Sequence, residues 1–266
     1  MTYTFFLDID GTLLWGSRSP TEELISVVTE AQKKGHRFFI NTARPTSNID
    51  RKYFPIDIFD GLCSGCGTNI IYRGETIYEN ILPTEVLFTT VELILKNQPE
   101  LSLLLEGTNA IYYHGINRNW EGIRNIPYSS VAEIRSLFPG IRIQKFATYD
   151  RSFLTNQTAE MISDRFDTYF HKNYTEIVPK GYSKGKAAEI VEKLLCIPHS
   201  STVAIGDSLN DVSMFEYCAT SIAMGNAPDE IKVMCDTVTE SAAHNGAAKA
   251  IARLCDISYQ RISTFV

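Results

Sequence analysis

The sequence predicts an α/β fold: a doubly wound parallel sheet assembled from both ends of the chain, with an α+β module inserted between them. Three observations predict it. Apolar runs of strand length alternate with amphipathic helical segments near both termini. Polar residues cluster where those runs end. In the middle of the chain the alternation gives way to neighbouring pairs of strands.

Residues 2–7 form a β-rich apolar run, long enough for a buried strand. SPTEELISVVTEAQKKG follows as a helix, with Ser19 as N-cap, Pro20 in its first turn and Glu22 completing a capping box. Leu24, Val27, Val28 and Ala31 share one helical face, and Gly35 stops the helix. HRFFIN is the next strand, so the unit reads strand–helix–strand. The pattern returns near the C-terminus. A helix over 186–195 precedes the strand STVAIGD, then VSMFEYC, TSIAMG, PDEIKVMC, DTVT and GAAKAIARL alternate helix and strand. Between them, residues 83–182 read as a helix, two strands, a loop rich in Asn, Arg and Gly, then helix, strand, helix and two more strands. The predicted division is 1–82 and 183–266 for the parallel domain, and 83–182 for an antiparallel α+β insertion.

Composition narrows the function classes. Hydrophobic residues make up 44% and charged residues 21% of the 266, which is ordinary for a chain with a sizeable core. The net charge of −6, with no basic block, argues against nucleic acid or an anionic membrane as partner. No apolar run approaches the roughly 18 to 20 residues of a membrane span. MTYTFFLDID has neither a basic stretch nor a small-residue cleavage site, so a cytoplasmic location is the expectation. Of the six cysteines only Cys63 and Cys66 have a suggestive spacing, and without a second pair they read as free thiols at a strand end.

The chemistry gathers at strand ends, where open parallel sheets bind their ligands. Asp8 and Asp10 follow the first strand, in FFLDIDGTL, and Thr42 and Arg44 the second. Lys184 precedes a returning helix, and VAIG runs into Asp207, Asn210 and Asp211. Unpaired carboxylates brought together repel, so they imply a cation among them. A ligand set of oxygens alone, with no His or Cys, points to Mg²⁺.

DIDGT, NTAR, YSKGKA and GDSLND, in that order, resemble the motifs of the haloacid dehalogenase superfamily of aspartate-nucleophile phosphatases. The inserted module and the run IAMGNAPDEIK…SAAHNGAAKAI are similar to its Cof-type branch, subfamily IIB. The resemblance covers essentially the whole chain and makes residues 83–182 a cap domain. It implies a Mg²⁺-dependent phosphatase acting on a small phosphorylated metabolite, such as a sugar, polyol or cofactor phosphate. Asp8 would be the nucleophile, forming an aspartyl phosphate. Asp10 would protonate the leaving alkoxide and then activate water. The Asp8 carboxylate, the Asp10 carbonyl and the Asp207 carboxylate would hold Mg²⁺.

Gly11 would let the backbone turn so that amides around Asp10 to Thr12 meet phosphate oxygens. Thr42 and Asn210 would bind phosphate as well, and Lys184, preferred over Lys186, would stabilise the nucleophile and the transferring group. Asp211 orients Lys184 or a metal-bound water, or caps the helix after it. Arg44 makes a core salt bridge or a substrate contact. NTAR places alanine where the family more often has glycine, which leaves the Thr42 hydroxyl in place.

Two other functions fit the same motifs: a sugar phosphomutase or phosphotransferase, and a non-catalytic regulator that binds a phosphate ligand. A mutase needs converging arginines in the cap, for which Arg118, Arg124, Arg135, Arg142, Arg151 and Arg165 are the candidates. The loop 115–127, with Asn117, Arg118, Asn119 and Trp120, is the candidate recognition element.

Overall fold

The computed structural model describes residues 1–16, 19–52, 54–115, 122–149, 154–171 and 173–259. The chain folds into two compact units. The first comprises Met1–Ala43, Arg51–Tyr78 and the described residues from Ser183 on; the second comprises Arg44–Asp50 and Glu79–Tyr182. The division thus falls four residues before the predicted 82/83 boundary, and Arg44, expected among the core motifs, belongs to the second unit.

The first unit opens with β1 (Thr4–Leu7), α1 (Glu22–Lys33) and β2 (Arg37–Asn41), then β3 (Gly61–Ser64), β4 (Asn69–Tyr72) and β5 (Glu75–Glu79). Helix α1 buries Leu24, Val27, Val28 and Ala31, the predicted face, but its N-cap is Thr21 rather than Ser19. Thr21 accepts the Leu24 amide at 3.2 Å and donates its hydroxyl to Asn245 at 2.9 Å, so a tertiary contact selects the later start.

The second unit contributes α2 (Thr84–Asn97), β6 (Leu103–Gly107), β7 (Ile111–His114), β8 (Asn125–Pro127), α3 (Val131–Leu137), β9 (Ile143–Tyr149), α4 (Asn156–Met161), β10 (Phe166–Phe170) and β11 (Tyr174–Pro179). The chain then returns to the first unit with α5 (Lys184–Leu194), β12 (Thr202–Gly206), α6 (Val212–Tyr217), β13 (Thr220–Ala223), α7 (Asp229–Lys232), β14 (Thr237–Val238) and α8 (Gly246–Leu254).

The first unit's sheet has the order β14-β13-β12-β1-β2-β3-β4-β5. Strands β14 through β3 are parallel and β4 turns back against β3. From β1 the chain winds outward through β2 to β3, and from β12 it winds the other way through β13 to β14. Right-handed crossovers in opposite directions put α1 and α6 on opposite faces; α8 packs on α1, and α5 on α6. Strands covered on both faces need apolar side chains throughout. Accordingly Phe5, Phe6, Phe38 and Phe39 are fully buried, and Phe5 stacks on Phe38 with ring centroids 4.8 Å apart. The reversal of winding between β1 and β12 opens a crevice beyond their carboxyl ends.

The second unit's sheet runs β10-β11-β9-β6-β7-β8. It is antiparallel except that β8, which forms inside the predicted loop, pairs parallel to β7. One face carries an apolar core including Phe88, Val91, Ile134 and Phe146. Lys145 is buried on this sheet, 2.6 Å from Glu106 and 2.7 Å from Glu176, all at most 5% exposed. Burial pushes the Glu106 carboxyl above its usual range. The same burial acts on Glu176, but Lys145 and the His171 hydrogen bond outweigh it and hold that carboxyl down at about 2. Removing the lysine from such a cluster leaves uncompensated buried charge. Lys145→Met is therefore expected to cost about 3–5 kcal/mol of stability by urea denaturation, and Glu106→Leu/Lys145→Met/Glu176→Leu to recover most of it. A triple variant no more stable than the single one would contradict this.

Among the described residues no helix is long and apolar enough to cross a membrane. All six cysteines are free; Cys66 holds a left-handed conformation (φ 57°) in the turn after β3, where its amide donates to the Thr42 carbonyl at 3.2 Å.

Candidate active site

β1, β12 and α5 bring their polar residues to the crevice. The Lys184 ammonium sits at the centre, 1% exposed, in the first turn of α5. It donates to Asp8 Oδ1 at 2.6 Å, Asp211 Oδ1 at 2.6 Å and Asn210 Oδ1 at 2.9 Å. Three donors thus meet three acceptors, the full capacity of an ammonium. The start of α5 is fixed from both sides. Ser183 caps the Lys186 amide, and Asn41, fully buried at the end of β2, donates to the Lys184 carbonyl at 2.8 Å. Gly185 admits the closest approach to α6, since a Cβ there would lie 2.1 Å from the Ser213 carbonyl oxygen. Lys186 pairs with Glu189 at the surface and stands apart from this group.

Asp211 holds Lys184, one of its candidate purposes, but its side chain makes no capping hydrogen bond to α6, the helix it was expected to cap. One oxygen takes the lysine; the other accepts the amides of Asp207 and Ser208, both at 2.9 Å, in a capping box with Ser208. The loop after β12 is thereby closed around a fully buried carboxylate. Asn210 Oδ1 is occupied by Lys184 and the Ser208 hydroxyl, while its Nδ2 makes no hydrogen bond among the described residues and remains a donor.

The loop after β1 differs from the expectation in one respect. The Gly11 amide donates to the Leu14 carbonyl at 3.1 Å and the Thr12 amide to Ile9 at 3.4 Å, so both are spent inside the turn rather than aimed outward. Gly11 is required for another reason. Its φ is +81°, and a Cβ would fall 2.2 Å from Asp207 Oδ2, so the turn can sit on the carboxylate only with glycine. Thr12 is buried in the turn and Asp10 is exposed beside it, while Asp8 is 4% exposed. Thr42 is buried at the end of β2, its amide held by the Cys63 carbonyl at 2.9 Å.

Asp8, Asp207 and Asp211 each offer an oxygen within 4.8 Å of the others. With Lys184 these groups carry a net charge of −2 when ionised. Burial, offset in part by Lys184, pushes the Asp8 carboxyl up to about 8, and burial with the neighbouring Asp211 raises Asp207 to about 7. For Lys184, burial works against the cation, but Asp211 and Asp8 outweigh it and hold its pKa above the ordinary value. Asp207 Oδ1 is buried with no hydrogen-bond partner. An oxygen-only donor set, a charge deficit of two and an orphaned carboxylate oxygen together fit a hard divalent cation.

Of the six cap arginines, Arg135, Arg142 and Arg165 pair with Glu85, Glu79 and Asp164 respectively. Arg118 and Arg151 lie outside the described residues, as do Asn117, Asn119 and Trp120 of the candidate recognition loop.

Known proteins share this architecture. Residues 5–251 match the family described as haloacid dehalogenase-like hydrolase. The chain belongs to this family. It is 42% identical to the phosphatase YwpJ of Bacillus subtilis, over 93% of this chain and 98% of that one. It is 28% identical to YwtE of the same organism, a 5-amino-6-(5-phospho-D-ribitylamino)uracil phosphatase, over 95% and 98% of the two chains. A solved haloacid dehalogenase subclass IIB sugar phosphatase superposes with a TM-score of 0.77 at 21% identity, covering 95% of this chain and 99% of that one. The protein is a phosphatase of this family, with the parallel-sheet core that its sequence predicts.

The crowding of carboxylates around Lys184 has a measurable consequence. In divalent-free buffer above pH 7, Asp207→Asn removes a carboxylate whose ionisation burial and Asp211 oppose, so it should raise the thermal midpoint. Mg²⁺ at one hundred times its Kd should stabilise the wild type by about 2.7 kcal/mol and the variant far less. Equal stabilisation of both proteins would remove Asp207 from the cation site.

Proposed function

We propose that the protein is a Mg²⁺-dependent phosphatase that hydrolyses a small phosphorylated metabolite through an aspartyl phosphate on Asp8. The observation that carries this reading is the Lys184 ammonium held between Asp8 and Asp211 beside the unpartnered Asp207 oxygen. Such an arrangement presents a carboxylate to an anionic substrate with positive charge already in place. The Asp8 and Asp207 carboxylates, with the Asp10 carbonyl, would hold the cation. When bound, it neutralises charge on the transferring phosphoryl group and shields Asp8 from it.

The steps follow from the side chains. Lys184 fixes Asp8 Oδ1 and so orients the carboxylate for in-line attack on phosphorus. As the Asp8 oxygen–phosphorus bond forms, the ester oxygen–phosphorus bond breaks and the leaving oxygen takes a proton from Asp10. Asp10, exposed at the mouth of the turn, then takes a proton from water as that water attacks phosphorus and releases Asp8. Asn210 Nδ2 and the Thr42 hydroxyl donate to phosphate oxygens, while Asp211 keeps Lys184 in place.

The second unit, which comprises Arg44–Asp50 and Glu79–Tyr182, serves as the cap that selects the leaving group. Names of relatives support the substrate class: YwtE acts on a phosphorylated ribitylaminouracil, and the subclass IIB structure is a sugar phosphatase. A phosphorylated polyol or sugar is the first class to screen.

Asp8→Asn should lower turnover of p-nitrophenyl phosphate at least ~10³-fold with the fold retained. Excess EDTA should abolish wild-type phosphate release and added Mg²⁺ restore it. Full activity in EDTA, or an active Asp8→Asn enzyme, would contradict the mechanism.

A further inference from the structure

Asn226 lies in the segment after β13, outside the residues to which the reaction assigns a role. Its side-chain Nδ2 donates to the Gly11 carbonyl at 2.9 Å, across 215 residues of chain, and lies 3.2 Å from Asp207 Oδ2. Its Oδ1 accepts the Ala242 amide at 2.8 Å. The orientation of the amide is dictated by chemistry, because Ala242 offers only a donor and the Gly11 carbonyl only an acceptor. The backbone around it is pinned as well. The Met224 amide donates to the Gly206 carbonyl at 2.9 Å, and the Gly225 amide to the Glu240 carbonyl at 3.0 Å. A Cβ at Gly225 would lie 2.7 Å from the Ser241 amide nitrogen, so this segment is pressed directly against the strand-end loop beside it.

We infer that Asn226 is a positioning residue of the phosphatase site. It holds the loop after β1 and the Asp207 carboxylate in one fixed relation, so that Asp207 Oδ1 stays turned toward the cation. The inference rests on the reading of Asp207 as a cation ligand. Three features carry it. A neutral donor engages Asp207 Oδ2 and leaves Oδ1, buried and unpartnered, as the oxygen available for coordination. The same donor takes the Gly11 carbonyl, one residue beyond Asp10, whose own carbonyl is assigned to the cation. Gly11 and the Asp207 carboxylate are too close for even a methyl group between them, so a small rotation of either carboxylate or turn would disturb both. The Asn226 side chain bridges them. A partner of this kind, which does not itself bind the ion but orients a group that does, typically changes metal affinity by roughly 10–100-fold when removed.

The test measures Mn²⁺ binding by the free-ion electron paramagnetic resonance signal, without substrate, in the full chain. Asn226→Ala and Asn226→Ser are compared with the wild type and with Asp207→Asn. Both Asn226 variants should weaken the Mn²⁺ Kd by roughly 10-fold or more, and kcat/KM should recover partly at saturating metal. Urea midpoints of the metal-free proteins report any purely structural cost separately. Variants that lose stability but keep the wild-type Kd would overturn the inference, and the serine variant carries the test should the alanine variant unfold. A wild type that binds no Mn²⁺, or an Asp207→Asn protein that binds it as tightly, would instead overturn the cation reading on which the inference stands.

Discussion

One buried ammonium organises this site. Desolvating a lysine costs several kcal/mol, and the attraction of fixed carboxylates offsets that cost only when geometry is good and every donor is used. Lys184 meets both conditions through Asp8, Asp211 and Asn210. The dependence runs in both directions. Without the lysine, Asp8 and Asp211 would be like charges in an apolar setting, and the loop after β12, folded around Asp211, would lose its centre. Asn41, Ser183 and Gly185 then make sense as a set: each fixes where α5 begins, and therefore where the ammonium lies.

The same arrangement leaves the Asp207 Oδ1 atom without a partner, and this is where the proposed cation would bind. Folding tolerates Asp211 because its two oxygens are saturated by a lysine and two amides. Asp207 has no such arrangement at Oδ1. A site whose own donors satisfy one carboxylate and leave another short fits a hard divalent cation. The division of labour follows from burial. In the proposed mechanism Asp8, enclosed and oriented, attacks phosphorus, and Asp10, exposed two residues on, exchanges protons with water and the leaving group.

Much of this was legible in the sequence because the signals are local. Apolar runs identify β1 and β2, the spacing of Leu24, Val27, Val28 and Ala31 identifies the buried face of α1, and DIDGT, SKG and GDSLND each carry their chemistry within a few residues. What could not be read depends on contacts between distant segments. Thr21 replaces Ser19 as a cap because Asn245 reaches it. The Gly11 and Thr12 amides turn inward because the loop closes on Leu14 and Ile9. Strand β8 forms in a polar loop because β7 offers it an edge. Asn41 and Asn226 stand within NTAR and IAMGNAPDEIK, but neither run shows what they bond: an asparagine at a strand end gains a role only when the residue it bonds, 143 or 215 positions away, is brought beside it.

The central claim is that the lysine-held carboxylate of Asp8 becomes covalently bonded to phosphorus, and chemical trapping tests it most directly. Enzyme turning over substrate is quenched and treated with borohydride, which reduces an acyl phosphate to the corresponding alcohol, and peptides are sequenced by mass spectrometry. The account predicts homoserine at position 8, dependent on substrate and absent at positions 10, 207 and 211. Unmodified Asp8 in protein quenched during a burst of leaving-alcohol release that precedes phosphate release, or homoserine at another of these positions, would contradict it.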